Sequence, residues 1–438
     1  MRALFKKLIV TILLLEARLV VAKYKPHIIA VTGSVGKTST KDAIYAVISK
    51  VAHVRKSEKS FNSEIGVPLT ILGLQNGWQD PLKWLQNIFD GLFLILSRSK
   101  YPEWLVLEVG ADRPGDIQSL SKWLPVDVAV ITKLPDVPVH VEFFDSPEEV
   151  AEEKASLIRA LKEDGTLILY ADDARTRMLA DRAKGKRVLL YGQSEDAFAR
   201  VSNIEPLFVN NYPIGMRAQV SVGEDSAPIE VHGTIGTHAY QSVLAGVAVG
   251  SLFKKPLSEM AQAFVSYNPP PGRMRLLPGV KDTLIIDDTY NASPAAMSSA
   301  LDALAFIAPH FTKAQHRRGR RIAVLGDMLE LGRHSVAEHR KLGAHAAKTA
   351  TLLLTVGFRA RDIAEGALDN GMKEGAILQH EDAHKAGDEL ESLIRPGDTI
   401  LVKGSQSMRM ERVVEELMAE PERAAELLVR QDEEWKSR

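Results

Sequence analysis

The sequence predicts an α/β protein in two parts, a mostly parallel sheet domain followed by a smaller Rossmann-like α/β domain. Three observations carry this expectation. After Pro26, short apolar runs alternate with amphipathic stretches, the pattern of parallel strands covered by helices on both faces. The run His27–Val31 leads directly into the glycine-bearing turn Thr32-Gly33-Ser34-Val35-Gly36-Lys37-Thr38-Ser39. The cluster Asn268-Pro269-Pro270-Pro271-Gly272 fits neither a helix nor a central strand, and it separates this alternation from a second one.

At 438 residues, with 45% hydrophobic and 25% charged side chains, the chain is long enough for two or three packed domains of roughly 100–200 residues each. Residues 1–25 carry six bases and one acid around an apolar stretch. Glu16 and Arg18 interrupt that stretch well short of the ~20 apolar residues of a spanning helix, and it runs on into a strand instead of a cleavage site. Two readings stay open for it. One is a helix packed against the body or a partner; the other is a basic amphipathic helix making peripheral contact with the inner face of an anionic membrane.

From His27 onward the expected strands are His27–Val31, Trp104–Val109, Val126–Thr132, Thr166–Leu169 and Arg187–Tyr191. Alternation in Arg217–Val222 and Ile229–Val231 predicts antiparallel strands, and a helix follows over about Thr237–Leu252. Beyond the proline cluster the expected strands are Thr283–Asp287, Arg321–Leu325, Leu352–Val356 and Thr399–Val402, before a charged helix near Met410–Arg430. The predicted organisation is a basic, apolar helix over 1–25, a central domain over 26–268 that carries the glycine-bearing turn, and a C-terminal Rossmann-like domain over 269–438.

Fifty-five Lys and Arg balance 56 Asp and Glu, so no overall basic field gathers nucleic acid, and no nucleic-acid partner is expected. The basic stretch Lys313, Arg317, Arg318, Arg320, Arg321 reads as a solvated loop. With no cysteine in the chain, disulfides, thiolate nucleophiles and Cys-ligated metals are excluded, and a reducing, cytoplasmic compartment fits.

The turn at 31–39 is the strongest chemical signal. Its glycines let backbone N–H groups face a phosphate, the following helix adds positive charge at its amino end, Lys37 reaches the outer phosphates and Thr38 offers a hydroxyl to Mg²⁺. The first domain is therefore P-loop NTPase-type, with a nucleoside triphosphate and Mg²⁺ expected. Val31 stands where the general motif has its first glycine. Glu108 and His140, at or just beyond strand ends on the edge where α/β sheets bind ligands, are oxygen and imidazole candidates for holding Mg²⁺.

Thr-Gly-x-x-Gly-Lys-Thr is the form of this loop in the Mur ligases, the ATP-dependent amide-bond ligases of peptidoglycan precursor synthesis. The chain resembles that family at further places in the same order. They include Phe61-Asn62-Ser63-Glu64-Ile65-Gly66-Val67-Pro68, Leu107-Glu108-Val109-Gly110-Ala111, the histidine loop Pro138–Phe144, and Val150-Ala151-Glu152-Glu153-Lys154-Ala155. Further on come Gly236-Thr237-His238, Pro271-Gly272-Arg273-Met274, Asp287–Pro294, Val324–Gly332 and Lys403-Gly404-Ser405. The pieces at 288–294 and 325–332 look most like the branch that joins D-alanyl-D-alanine to a UDP-muramoyl-tripeptide.

That resemblance implies an amide ligase that phosphorylates a carboxylate and lets an amine displace the phosphate. It implies catalytic or metal-binding roles for Lys37, Thr38, Glu108, His140 and Lys154, the last as a carbamate that holds a second Mg²⁺. ATP contacts fall on Thr32 to Ser39, His238, Arg273, Asp288 and Asn291; substrate contacts fall on Asn62, Lys403 and Ser405. The expected partners are the small-molecule substrates, with a peripheral membrane contact through residues 1–25 left open, and the expected state is a monomer.

The sequence also departs from the family. The domain of roughly 80 or more residues that usually precedes the P-loop and holds substrate is not expected before Lys37. Lys133 stands where the family has Asn, two extra residues precede His140, Ala239 and Ser242 replace Asn residues, and Gln406 replaces a frequent Arg. Two other readings accompany the leading one: a poly-γ-glutamate or folylpolyglutamate synthase-like ligase, and a nucleotide-binding scaffold without turnover.

Overall fold

The computed structural model describes residues 2–435 apart from 59–61, 63, 79, 238, 266, 268, 317 and 433–434; for 2–7 it describes the backbone only. The predicted role of His238 lies outside the described residues.

The first sheet collects β1 (His27–Thr32), β2 (Val54–Lys56), β3 (Trp104–Glu108), β4 (Val126–Ile131), β5 (Leu161–Tyr170), β6 (Arg187–Gly192), β7 (Ala199–Val209), β8 (Tyr212–Val222) and β9 (Asp225–His232). Their order is β2-β3-β1-β4-β5-β6-β7-β8-β9. Pairing is parallel from β2 through β7, and β7, β8 and β9 form an antiparallel meander. The second sheet holds β10 (Arg275–Gly279), β11 (Thr283–Asp288), β12 (Arg321–Gly326), β13 (Leu352–Val356), β14 (Ile377–His380) and β15 (Thr399–Lys403), in the order β10-β11-β15-β12-β13-β14. Only β10 pairs antiparallel among these.

The strands read as continuous apolar runs because both faces are covered. On β1, Ile28 and Ala30 join one apolar cluster while Ile29 and Val31 join the other. Helices α1 (Arg2–Tyr24) and α3 (Gly66–Leu72) lie on the first side; α2 (Lys37–Ile48) and the helix Ala239–Ser251 lie on the second. This second cluster continues into the other half through Leu284, Ile286, Leu325 and Leu401, so one core ties the two sheets together.

The amino-terminal segment is helical and packs on the body. Ile9, Leu13, Ala17, Val20 and Val21 are buried among residues of α3 and the first sheet. Alongside it lies α4 (Pro81–Leu96), which the apolar-run reading did not pick out. Among the described residues no helix is long and apolar enough to cross a membrane. The charged helix expected over 410–430 is instead broken into Glu411–Leu417 and Ala424–Leu427. Pro421 explains the break, since it has no N–H to continue the ladder and disfavours helix in the residue before it.

Candidate active site

Three neighbouring strand ends build the site. The pairing of Val31 with Glu108 sets the end of β3 beside the start of the phosphate loop, and the pairing of Thr32 with Ile131 sets the end of β4 on its other side. The loop then turns into α2 through Gly36, whose φ of 85° is left-handed and suits glycine. Gly33 is needed for a second reason: a Cβ there would lie 1.9 Å from the Thr132 hydroxyl. Lys133 braces the loop by accepting from Ser34 N–H at 3.0 Å, while its side chain lines the same cavity.

Lys37 Nζ donates to Gly33 O at 3.0 Å. Burial pushes its ammonium below the ordinary lysine range, and the charge of Glu108 opposes that shift. Glu108 is itself buried. Its Oε1 accepts from Asn62 Nδ2 at 3.2 Å, while Oε2 has no hydrogen-bond partner among the described residues. A buried carboxylate oxygen without a donor, lining the same cavity as Thr38 and His140, suits a hard divalent cation such as Mg²⁺. The residues present therefore fit the metal that the phosphate loop implies.

His140 has a left-handed φ of 70° and caps the short turn Val141–Phe143. That conformation is unusual for a residue with a side chain. The ring is held between two acids, with Nδ1 2.6 Å from Glu330 Oε2 and Nε2 3.6 Å from Asp112 Oδ1. The imidazole in turn holds the Glu330 carboxyl below its usual range. Asp112 lines the cavity as well. Neither acid was picked out from sequence: Glu330 comes from the other half of the chain, and only the Leu-Gly-Asp-Met-x-Glu motif pointed to it.

Lys154 lies at the end of α6 (Pro147–Ala155), which opens with Pro147 after a Ser146 cap. Its neighbour Glu153 is committed to structure, accepting from the N–H groups of Gly115, Ile117 and Gln118 and so capping α5 (Asp116–Ser121). Lys154 is fully buried, and its pKa is lowered to about 7, first by burial and then by the charge of Lys37. A buried amine that is half neutral at pH 7 is the form that reacts with CO₂. It does not line the cavity but lies within electrostatic reach of Lys37 and Asp112, which do.

The second half closes the other side. Gly272, left-handed at φ 66°, turns the chain so that Arg273 stacks 3.8 Å from the Tyr290 ring centre and donates from Nη2 to Thr38 Oγ1 at 3.2 Å. Asp288 and Lys403 sit opposite each other on β11 and β15 and pair at 2.6 Å, with both side chains buried. Lys403 also donates to Asn291 O at 2.8 Å. Lys37, Thr38, Glu108, His140, Arg273 and Asp288 thus share one cavity of about 430 Å³, which Asn62, Asn291 and Lys403 also line. Ser405 stands apart, its hydroxyl accepting from Leu329 N–H at 2.8 Å. Thr32 is buried beneath the loop, its carbonyl bound to Thr132.

A nucleotide-phosphate loop facing a second α/β half across one cavity defines an ATP-dependent ligase architecture. Residues 31–250 match the Mur ligase middle domain and residues 272–406 the Mur ligase glutamate ligase domain. The chain belongs to the Mur ligase family, whose members form C–N bonds at the expense of ATP.

It is 30% identical to the UDP-N-acetylmuramoyl-tripeptide--D-alanyl-D-alanine ligase of Bacillus subtilis, across 90% of this chain and 76% of that protein. The enzyme of the same name from Mycobacterium leprae is 29% identical, across 90% of this chain and 74% of that protein. Among solved structures, the MurF ligase of Thermotoga maritima in complex with ADP is 27% identical with a TM-score of 0.75, across 95% of this chain and 85% of that one. A MurF structure from Acinetobacter baumannii at 24% identity shares the fold, with a TM-score of 0.74 over 92% of this chain and 79% of that one.

Proposed function

We propose that this chain joins D-alanyl-D-alanine to a UDP-N-acetylmuramoyl-tripeptide, using ATP and Mg²⁺. One cavity walled by both halves, from Lys37 across to Asp288, is the observation that carries this reading, together with relatives named for that reaction. In the first step the tripeptide carboxylate takes the γ-phosphoryl group of ATP and ADP leaves. In the second the amine attacks the acyl carbon, and inorganic phosphate leaves with a proton lost from nitrogen.

The work of the protein is to gather anions and shield them from water. Lys37 and the loop N–H groups hold the β- and γ-phosphates, and Arg273 extends from the second half to the same place. Glu108, His140 and Thr38 would hold Mg²⁺, which supplies charge neutralisation between the phosphate oxygens. Lys154, as a carbamate, would offer an anion behind Lys37 for a second ion. Asp288, fixed by Lys403, accepts from the ribose hydroxyls, with Asn291 beside it. Asn62 faces the carboxylate substrate across Glu108. The halves 26–268 and 269–438 close on each other, excluding water from the acyl phosphate. A cavity walled by two halves of one chain supports a monomer, and use of ATP and a UDP-linked precursor supports a cytoplasmic site of action.

The test is phosphate release by the purified chain with Mg-ATP, with both substrates and with each omitted, and mass spectrometry of the product. Release that needs both, with a UDP-muramoyl-pentapeptide product, is expected. ATP binding without release under any of these conditions overturns the substrate assignment and directs a screen of other carboxylates with glutamate as the amine.

A further inference from the structure

Helix α4 carries its apolar side chains on the wrong face for a packed helix. Trp84, Asn87 and Gly91 are buried against the body, while Leu82, Leu85, Phe89, Leu92, Phe93 and Leu96 point outward. Four of these are 76% (Leu82), 62% (Phe89), 68% (Phe93) and 83% (Leu96) exposed. At about 100° per residue the six fall within an arc of roughly 100° opposite Gly91. Helix α1 repeats the pattern with exposed Leu8, Leu15 and Leu19, spaced by seven and four residues.

The two helices are locked together. A Cβ on Gly91 would lie 2.2 Å from Glu16 Oε2, so glycine permits the close approach. Farther along, Lys23 Nζ donates to Leu94 O at 3.1 Å and Ile95 O at 2.8 Å, and Tyr24 donates to Leu94 O at 2.9 Å, satisfying the last carbonyls of α4. Both outward stripes therefore belong to a fixed unit and not to a loosely attached tail.

The charge around this unit selects its occupant. Residues 1–25 and 81–100 together hold nine bases and two acids, whereas the whole chain carries a net charge of −1. One of the two acids, Glu16, is buried. Exposed Arg18, Arg98 and Lys100 flank the apolar stripes. An apolar stripe rimmed by bases matches the interfacial region of an anionic bilayer, where leucine and phenylalanine enter the acyl boundary and lysine and arginine meet phosphates.

We propose that the α1–α4 pair seats this enzyme on the surface of an anionic phospholipid membrane without crossing it. The groove beside the active cavity supports a functional orientation. It is shared by Thr38, Arg273, Tyr290 and Trp78, and Trp78 lies two residues before the Asp80 cap of α4. Docking on α4 would bring the mouth of that groove close to the lipid surface.

The experiment is co-sedimentation of the full chain with vesicles of phosphatidylglycerol and phosphatidylcholine, and with vesicles of phosphatidylcholine alone. Binding to the anionic vesicles that weakens with added salt is expected, with at least a tenfold loss in the double variant Phe89→Glu/Phe93→Glu. Both side chains are exposed, so the thermal transition and ATP binding should stay unchanged. A second variant, Arg98→Gln/Lys100→Gln, keeps the apolar stripe and should weaken binding to the anionic vesicles. Equal vesicle binding by wild type and Phe89→Glu/Phe93→Glu overturns the proposal, as does no vesicle binding by the folded wild type. Sedimentation-velocity evidence that the wild type self-associates through this face, with no vesicle binding, assigns it to a second copy and overturns the proposal too.

Discussion

Arg273 Nη2 donates to Thr38 Oγ1 across 3.2 Å, which ties the first turn of the second half to the phosphate loop of the first. One guanidinium thereby joins the second half to the hydroxyl expected to meet Mg²⁺. The Tyr290 ring at 3.8 Å keeps it extended.

Arg273→Ala should therefore weaken ATP binding and slow phosphoryl transfer together. A charge-assisted contact is worth about 1.5–3 kcal/mol, so a rise of roughly tenfold to a hundredfold in the KM for ATP is expected. Arg273→Lys should recover only part of this, because lysine cannot stack and fork in the same way. Steady-state kinetics at saturating second substrates would check it, and an unchanged KM would remove Arg273 from the nucleotide site.

Lys154→Ala should abolish ligation, lowering kcat by about 10²-fold or more if its carbamate positions the reacting groups, while leaving ATP binding in place. Added short carboxylates such as formate or acetate should partly restore turnover by supplying the missing anion. Carbon-13 NMR of wild type in labelled bicarbonate should show a carbamate signal that the variant lacks. Full activity in the variant would take Lys154 out of the mechanism.

The buried pair of Asp288 and Lys403 gives a prediction about stability as well as activity. Asp288→Ala leaves the Lys403 ammonium buried without its carboxylate, which typically costs about 3–5 kcal/mol. The double change Asp288→Ala/Lys403→Met should be more stable than Asp288→Ala alone, yet remain defective in ATP binding, because the carboxylate proposed to accept from the ribose is still absent. Urea unfolding of the three proteins separates the two effects.

Much of this arrangement was readable in sequence because the parallel strands are buried on both faces and so stand out as short apolar runs; β1, β3, β4, β6, β11, β12, β13 and β15 all coincide with such runs. Short or edge strands such as β2 and β14 lack that signature. Helix α4 escaped because its apolar side chains face outward, against the usual inward pattern. The phosphate loop, Glu108, His140 and Arg273 were marked by local motifs. The pairing of Lys403 with Asp288 was not, because it depends on the register of β11 against β15. Lys403, expected to meet an incoming substrate, is held by Asp288 and Asn291 in this structure.

The last prediction concerns Glu16, which lies buried between α1 and α4 with neither carboxylate oxygen hydrogen-bonded among the described residues. Burial raises its pKa from 4.5 to about 7. Between those two values the folded chain binds a proton that the unfolded chain does not, so stability falls as pH rises through this window. The penalty is complete above about pH 7 and absent below about pH 4.5. Glu16→Gln keeps the shape and removes the charge. It should unfold at a higher urea concentration than wild type at pH 8, by on the order of 2 kcal/mol, with the difference shrinking towards zero near pH 4.5. A difference that stays constant across this range would mean that Glu16 keeps an ordinary pKa in the folded chain, and that its carboxylate is solvated at the α1–α4 contact.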